Sequence, residues 1–142
     1  MQDSVFAFVV VLLALLAVVL VKGKTSKASV VLSLAITALL VLLLKLLYAE
    51  PRPCAGLPWC DSDFGFPSMH SALSFSVAFS TFGTVYFYGF LLLAVLVALS
   101  RVASGLHSFP QVVAGMVLGV LVPMVVSLVL SKGVVFVNKW RK

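Results

Sequence analysis

The sequence predicts an all-α integral membrane protein, a bundle of about five transmembrane helices in a single domain spanning residues 1–142. Three observations carry that prediction. Hydrophobic residues make up 63% of the 142-residue chain and its mean hydropathy is +1.24, more apolar surface than a soluble domain of this length can bury. Four apolar runs are each roughly 17 to 22 residues long, which at about 1.5 Å per residue matches the hydrocarbon core of a bilayer. The few charged residues, 10% of the chain, fall mainly at or beyond the ends of those runs.

The first run, Val5 to Val21, follows Asp3 with no basic residue ahead of it. It therefore lacks the positive n-region of a cleavable signal peptide and is read as a retained helix. The second, Ala28 to Ala49, begins after the basic segment "VKGKTSK" and carries Lys45 near its end. The third, Met69 to Phe82, is only about 14 residues long and suits a helix that starts below the membrane surface. Thr84 to Ser100 and Pro110 to Leu130 complete the set. With five spans, Lys22, Lys24, Lys27, Lys132, Lys139, Arg141 and Lys142 lie on one side, which the positive-inside rule makes cytoplasmic. The acids Asp3, Glu50, Asp61 and Asp63 lie on the other, so the net charge of +6 requires no nucleic-acid partner.

The connection from Glu50 to Pro67 is the one long loop, and its four prolines, Pro51, Pro53, Pro58 and Pro67, exclude regular helix while stiffening the path. A long, stiff, polar loop between membrane helices is more often functional than filler. Cys54 and Cys60 lie in it on the extracytoplasmic side, where an oxidising compartment permits a disulfide; free thiols are the alternative, and a metal site is disfavoured because no His is close to them in sequence. Gly115 and Gly119 form G-x-x-x-G on the last helix, and Ser71, Ser74, Ala78 and Thr81 give the third helix small or polar positions; both sets read as helix packing. Tyr86, Tyr88 and Trp140 suit the membrane interface.

Three cations, Lys45, Arg52 and Arg101, are left unexplained by topology, and both histidines fall in the same short blocks: "KLLYAEPRP", "FPSMH" and "SRVASGLHSFPQ". An unpaired Lys or Arg in hydrocarbon costs on the order of 3 kcal/mol, so three cations at one depth require an anion. Neutralisation by Glu50, Asp61 and Asp63, or snorkelling to the interface, accounts for each singly. The two histidines at the same depth favour a phosphate pocket instead. Guanidinium forks, an ammonium and the amides of Met69 and His70, at the start of a helix N-capped by Ser68, match a tetrahedral oxyanion. A pocket that only binds needs no imidazole; one His can attack phosphorus and another can protonate the leaving oxygen. Gln111 lies one helical turn after His107, placed to accept a hydrogen bond from it, but "SFPQ" is equally a capping box with Ser108 as N-cap.

These residues resemble the three signature motifs of the type 2 phosphatidic acid phosphatase superfamily, the lipid phosphate phosphatases that share a core with vanadium haloperoxidases. Lys45, Arg52 and Pro53 match K-x6-R-P; "PSMH" is similar to P-S-G-H, with Met69 in place of Gly; Ser100, Arg101 and His107 match S-R-x5-H. The resemblance covers about residues 28 to 125. It implies a phosphatidic acid phosphatase type 2-like core, His107 as nucleophile, His70 as general acid, and Lys45, Arg52, Ser68 and Arg101 on the phosphate oxygens, with the Met69 amide beside them. It implies no cofactor and no metal, since the cations do the neutralising and no carboxylate cluster offers Mg²⁺ a site.

Two departures stand out. Met69 replaces a glycine, which narrows the pocket only if its side chain faces phosphate. Gln111 stands where most members have Asp; a neutral amide orients His107 but does not stabilise its positive charge. "RPC", "FGFPSMHS" and "HSFPQVVAG" are similar to the dolichyl diphosphatase branch, where Gln is usual at that position. This implies hydrolysis of a membrane-embedded polyprenyl diphosphate to the monophosphate through a phosphohistidine, on the extracytoplasmic or lumenal side of a plasma or ER-type membrane. The alternatives are a phosphatidate or phosphatidylglycerophosphate phosphatase with the same site, or a non-catalytic binder or transporter of phospholipid. Expected partners are the lipid substrate and the bilayer. Either five helices alone or a homodimer buries the site.

Overall fold

The computed structural model describes residues 2–22, 24–60 and 63–139, with side chains over 8–22, 27–60 and 63–131. Asp61, Trp140, Arg141 and Lys142 lie outside the described residues, as do the side chains of Asp3, Lys24, Lys132 and Lys139. Five helices follow in order: α1 (Gln2–Leu20), α2 (Lys24–Tyr48), α3 (Met69–Ser80), α4 (Phe87–Ala103) and α5 (Phe109–Lys139). These are the five expected segments. The differences are at their ends: α1 and α2 start earlier, at Gln2 and Lys24, α3 stops at Ser80, Thr84 to Tyr86 are spent on the turn before α4, and α4 and α5 run past Ser100 and Leu130.

Apolar length makes two of these helices able to cross a membrane by themselves, over Lys27–Tyr48 and Phe109–Ser131, and the apolar stretches Phe8–Leu20 and Phe87–Ala103 are shorter. The bundle is apolar outside, and four of its charged or ionisable side chains lie within. Leu46, Leu47, Leu92, Leu99 and Val129 are exposed, whereas Lys45, Arg52, Arg101 and His107 are buried, Arg101 completely. Water would penalise that exterior; lipid would not.

The short α3 is the axis of the molecule, packed against α1, α2, α4 and α5, most extensively against α5. Its composition explains this: Ser71, Ala72, Ser74, Ser76 and Ala78 are small enough for close approach, and all are buried. Gly115 and Gly119 make the matching surface on α5. A Cβ on Gly115 would collide with the Ser68 carbonyl, and one on Gly119 with the Ala72 carbonyl. The G-x-x-x-G is thus a seat for α3, as the packing reading has it. Thr37 Oγ1 lies 3.3 Å from Ser76 Oγ and links α2 to α3, a polar contact inside an otherwise apolar layer. Ala17, Val30, Phe75, Ala94 and Val112, one from each helix, belong to a single core cluster.

Ala49 ends α2 with φ 47°, a left-handed conformation, and its N–H bonds the Lys45 carbonyl at 2.9 Å. This turn sends the chain sharply off the helix axis, so that Glu50 to Arg52 come back over the end of the bundle. Glycine usually takes this position, because a Cβ there costs roughly 1 to 2 kcal/mol.

Candidate active site

The site lies where the loop after α2 meets the start of α3, the end of α4 and the start of α5. Backbone hydrogen bonds fix this junction. The Ser68 N–H bonds the Gln111 carbonyl at 3.0 Å, joining the entry of α3 to the first turn of α5. The Gly65 N–H bonds the Glu50 carbonyl at 2.7 Å and closes the two ends of the long loop on each other. The His107 N–H bonds the Arg101 carbonyl at 3.2 Å, holding the α4–α5 turn against the last turn of α4. Gly105, at φ 69°, supplies the left-handed step in that turn.

His107 is 2% exposed, and its Nδ1 lies 3.2 Å from Gln111 Oε1. The same oxygen accepts from the Ser108 N–H at 3.2 Å. Both sequence readings of Gln111 therefore hold at once, as partner of His107 and as the returning side chain of a capping box. On the other side, Gln111 Nε2 donates to Glu50 Oε1 at 2.7 Å and to the Pro51 carbonyl at 3.2 Å. Because Ser108 N–H can only donate and the Pro51 carbonyl can only accept, the amide has one orientation. An oxygen facing Nδ1 requires Nδ1 to carry the proton, which leaves the Nε2 lone pair for chemistry.

Lys45 Nζ and Arg52 Nη2 converge on one carboxylate, that of Asp63. Lys45 reaches Oδ2 at 2.5 Å and also bonds the Phe64 carbonyl; Arg52 bonds Oδ1. Both cations are buried, while the Asp63 side chain is half exposed. Burial alone would raise the Asp63 pKa, but the hydrogen bonds and charges of Lys45 and Arg52 outweigh it and hold the carboxyl below its ordinary range. His107 is lowered from 6.5 to about 4. Burial is the largest cause, followed by the Arg52 charge; the Gln111 hydrogen bond opposes the shift, Lys45 adds to it, and the Gly65 backbone opposes it. At neutral pH the imidazole is uncharged.

The remaining residues sit around this centre. Arg101 is fully buried in the last turn of α4. Ser68 is fully buried at the N-cap position of α3, where its hydroxyl makes no cap bond and instead accepts from Ser71 Oγ at 3.1 Å. Met69 and His70 are partly buried in the first turn of α3. The His70 carbonyl accepts from Ser74 Oγ at 2.8 Å. Lys45, Arg52, Gln111 and His107 are thus in one neighbourhood, and the backbone joins Ser68 and Arg101 to it. Two residues entered the sequence reading only as neutralisers of the cations, a part Asp63 takes for Lys45 and Arg52. Asp63 and Glu50 appeared there only among three acids of equal standing, and their pairings arise from the fold of the long loop. Cys54 and Cys60 are joined in a disulfide within that loop, with Cα atoms 5.7 Å apart. An open cleft of about 430 Å³ beside it is lined by Arg52, Asp63, Leu57, Cys60 and Phe64 among others.

Buried cations grouped about a neutral histidine, in a helical bundle that is apolar outside, suit an anionic ligand at a membrane. The family model for the PAP2 superfamily matches residues 26–134, and the chain belongs to that superfamily. The match takes in α3 and α4 and most of α2 and α5, and leaves α1 outside. The crystal structure of Aquifex aeolicus LpxE shares the fold, with a TM-score of 0.70 at 24% identity over 87% of this chain and 81% of that one. No curated protein sequence matches.

Proposed function

We propose that the chain hydrolyses a membrane-embedded polyprenyl diphosphate to the monophosphate, without a metal ion and through a phosphohistidine, with all of residues 1–142 acting as one membrane domain. The observation that carries this reading is the His107–Gln111 contact, which leaves an uncharged imidazole with its Nε2 lone pair available beside buried cations.

In the first step His107 Nε2 attacks the terminal phosphorus, the phosphorus–oxygen bond to the leaving group breaks, and His70 gives that oxygen a proton. In the second, His70 takes a proton from water, the water oxygen attacks phosphorus, and the nitrogen–phosphorus bond breaks to regenerate His107. Lys45, Arg52 and Arg101, with Ser68 and the Met69 amide, hold the phosphoryl oxygens and offset the charge that gathers on them. Asp63 stands in for those oxygens on Lys45 and Arg52 and gives way when substrate enters. The lipid tail stays in the bilayer. Clustering of Lys and Arg in "VKGKTSK" and in the C-terminal segment supports a site on the extracytoplasmic or lumenal face. The "HSFPQ" resemblance supports the diphosphate over a monoester.

The test is phosphate release from farnesyl diphosphate and from phosphatidic acid, with chelator present. The expected result is turnover of the diphosphate in preference to the monoester and loss of at least about 10³-fold in His107→Ala. Activity retained in His107→Ala contradicts the nucleophile. Preference for phosphatidic acid contradicts the substrate class.

A further inference from the structure

Gln111 brings no charge to His107, yet its amide does not end the network. Its Nε2 donates to the Glu50 carboxylate at 2.7 Å, 61 residues away in sequence, so a carboxylate reaches the imidazole at one remove. Glu50 lies on the surface, but several contacts hold it in place. Its carbonyl accepts from the Gly65 N–H at 2.7 Å, Pro51 follows it, and the Pro51 carbonyl accepts from the same amide nitrogen at 3.2 Å. Gly65 is what makes room: a Cβ there would lie 2.6 Å from Gln111 Nε2 and 2.8 Å from Oε1. The amide is therefore wedged between Gly65 on one side and Glu50 and Pro51 on the other.

We propose that Glu50 is a positioning residue for the phosphoryl transfer: through Gln111 it fixes the orientation and tautomer of His107 and supplies, one hydrogen bond further out, the negative charge that the amide lacks. When Nε2 bonds phosphorus while Nδ1 keeps its proton, the ring becomes positive. The Nδ1–H bond to Gln111 Oε1 then strengthens, and the amide dipole, held with its N–H groups on the Glu50 carboxylate, is already aligned to oppose that charge. Without Glu50 the amide has one acceptor fewer to keep its nitrogen away from His107, and a flipped amide would place donor against donor. The inference rests on His107 being the nucleophile.

The experiment measures kcat and KM for farnesyl diphosphate, in detergent micelles with chelator, for the full chain and for Glu50→Gln, Glu50→Gln/Gln111→Asp and His107→Ala. Glu50→Gln keeps an acceptor for the Gln111 amide and removes the charge, and loss of an outer carboxylate behind a functional histidine is expected to cost about 10- to 100-fold. In Glu50→Gln that loss should fall on kcat, with KM changed by less than about threefold. The double variant should recover at least about tenfold of it, because a carboxylate at position 111 meets Nδ1 directly and no longer needs Glu50. Wild-type kcat in Glu50→Gln, a loss carried by KM, or no recovery in the double variant overturns the proposal. If Glu50→Gln alone does not fold, the double variant decides: kcat within about tenfold of wild type supports the role, and a folded, inactive protein contradicts it. A fully active His107→Ala brings down the nucleophile and this inference together, whereas an inactive His107→Ala beside a wild-type Glu50→Gln removes Glu50 alone.

Discussion

At the scale of single residues, the proposed chemistry depends on keeping one imidazole uncharged beside buried cations. Burial does most of this and the Arg52 charge adds to it, which is why the His107 pKa falls to about 4. Arg52→Gln removes one lowering cause and leaves burial in place. The His107 pKa should therefore rise, yet remain below its ordinary 6.5. An NMR titration of the imidazole checks this; an unchanged or lower value would show that Arg52 does not act on His107. The sign also bears on stability: an imidazole that folding holds neutral favours the native state above about pH 6.5, and that contribution is lost as pH falls toward 4. Much of the site was legible in sequence. Lys45, Arg52, Arg101 and His107 stood out because hydrocarbon tolerates such groups only with partners. The choice of partner was not legible. Asp63 takes both Lys45 and Arg52, and Glu50 takes Gln111, because of a loop path that local spacing does not encode.

Among the helices, α3 and α5 decide where the pocket forms. Small residues on α3 let α5 approach so closely that Gly115 and Gly119 touch its backbone, and van der Waals packing of this kind replaces the hydrophobic effect in lipid. The two glycines differ in what lies opposite. Gly115 faces the Ser68 carbonyl at the entry of α3, whereas Gly119 faces Ala72 and Phe75 deeper in the bundle. Each Gly→Ala change is expected to cost about 1 to 3 kcal/mol of stability by overpacking. Gly115→Ala should in addition lower kcat about tenfold or more, since displacing Ser68 displaces the amides beside it. Melting temperature and turnover measured side by side separate the two effects; equal activity in both variants would show that the entry of α3 does not position the pocket. The boundaries of α2 and α3 were readable from Ala49–Glu50–Pro51 and from Pro67–Ser68. The central place of α3 was not, because a run of about 14 residues looks too short to matter until its small side chains are seen to be shared among four neighbours.

For the whole molecule, the reversal of inside and outside is the governing fact. A bundle that buries Arg101 and exposes Leu47 keeps its cations inside and turns apolar surface outward. The five-helix plan was legible because apolar run length is set by bilayer thickness and the ends are marked by charge and proline. The convergence of "KLLYAEPRP", "FPSMH" and "SRVASGLHSFPQ" was legible only as equal depth; their meeting at one point comes from hydrogen bonds such as Ser68 N–H to Gln111 carbonyl, which no periodicity announces. The most direct test of the account is to quench turnover of a terminally ³²P-labelled farnesyl diphosphate in the chelated enzyme and to look for label on the protein. The account predicts acid-labile, base-stable phosphate on His107, absent from His107→Ala; label elsewhere, or turnover that continues without His107, would contradict it.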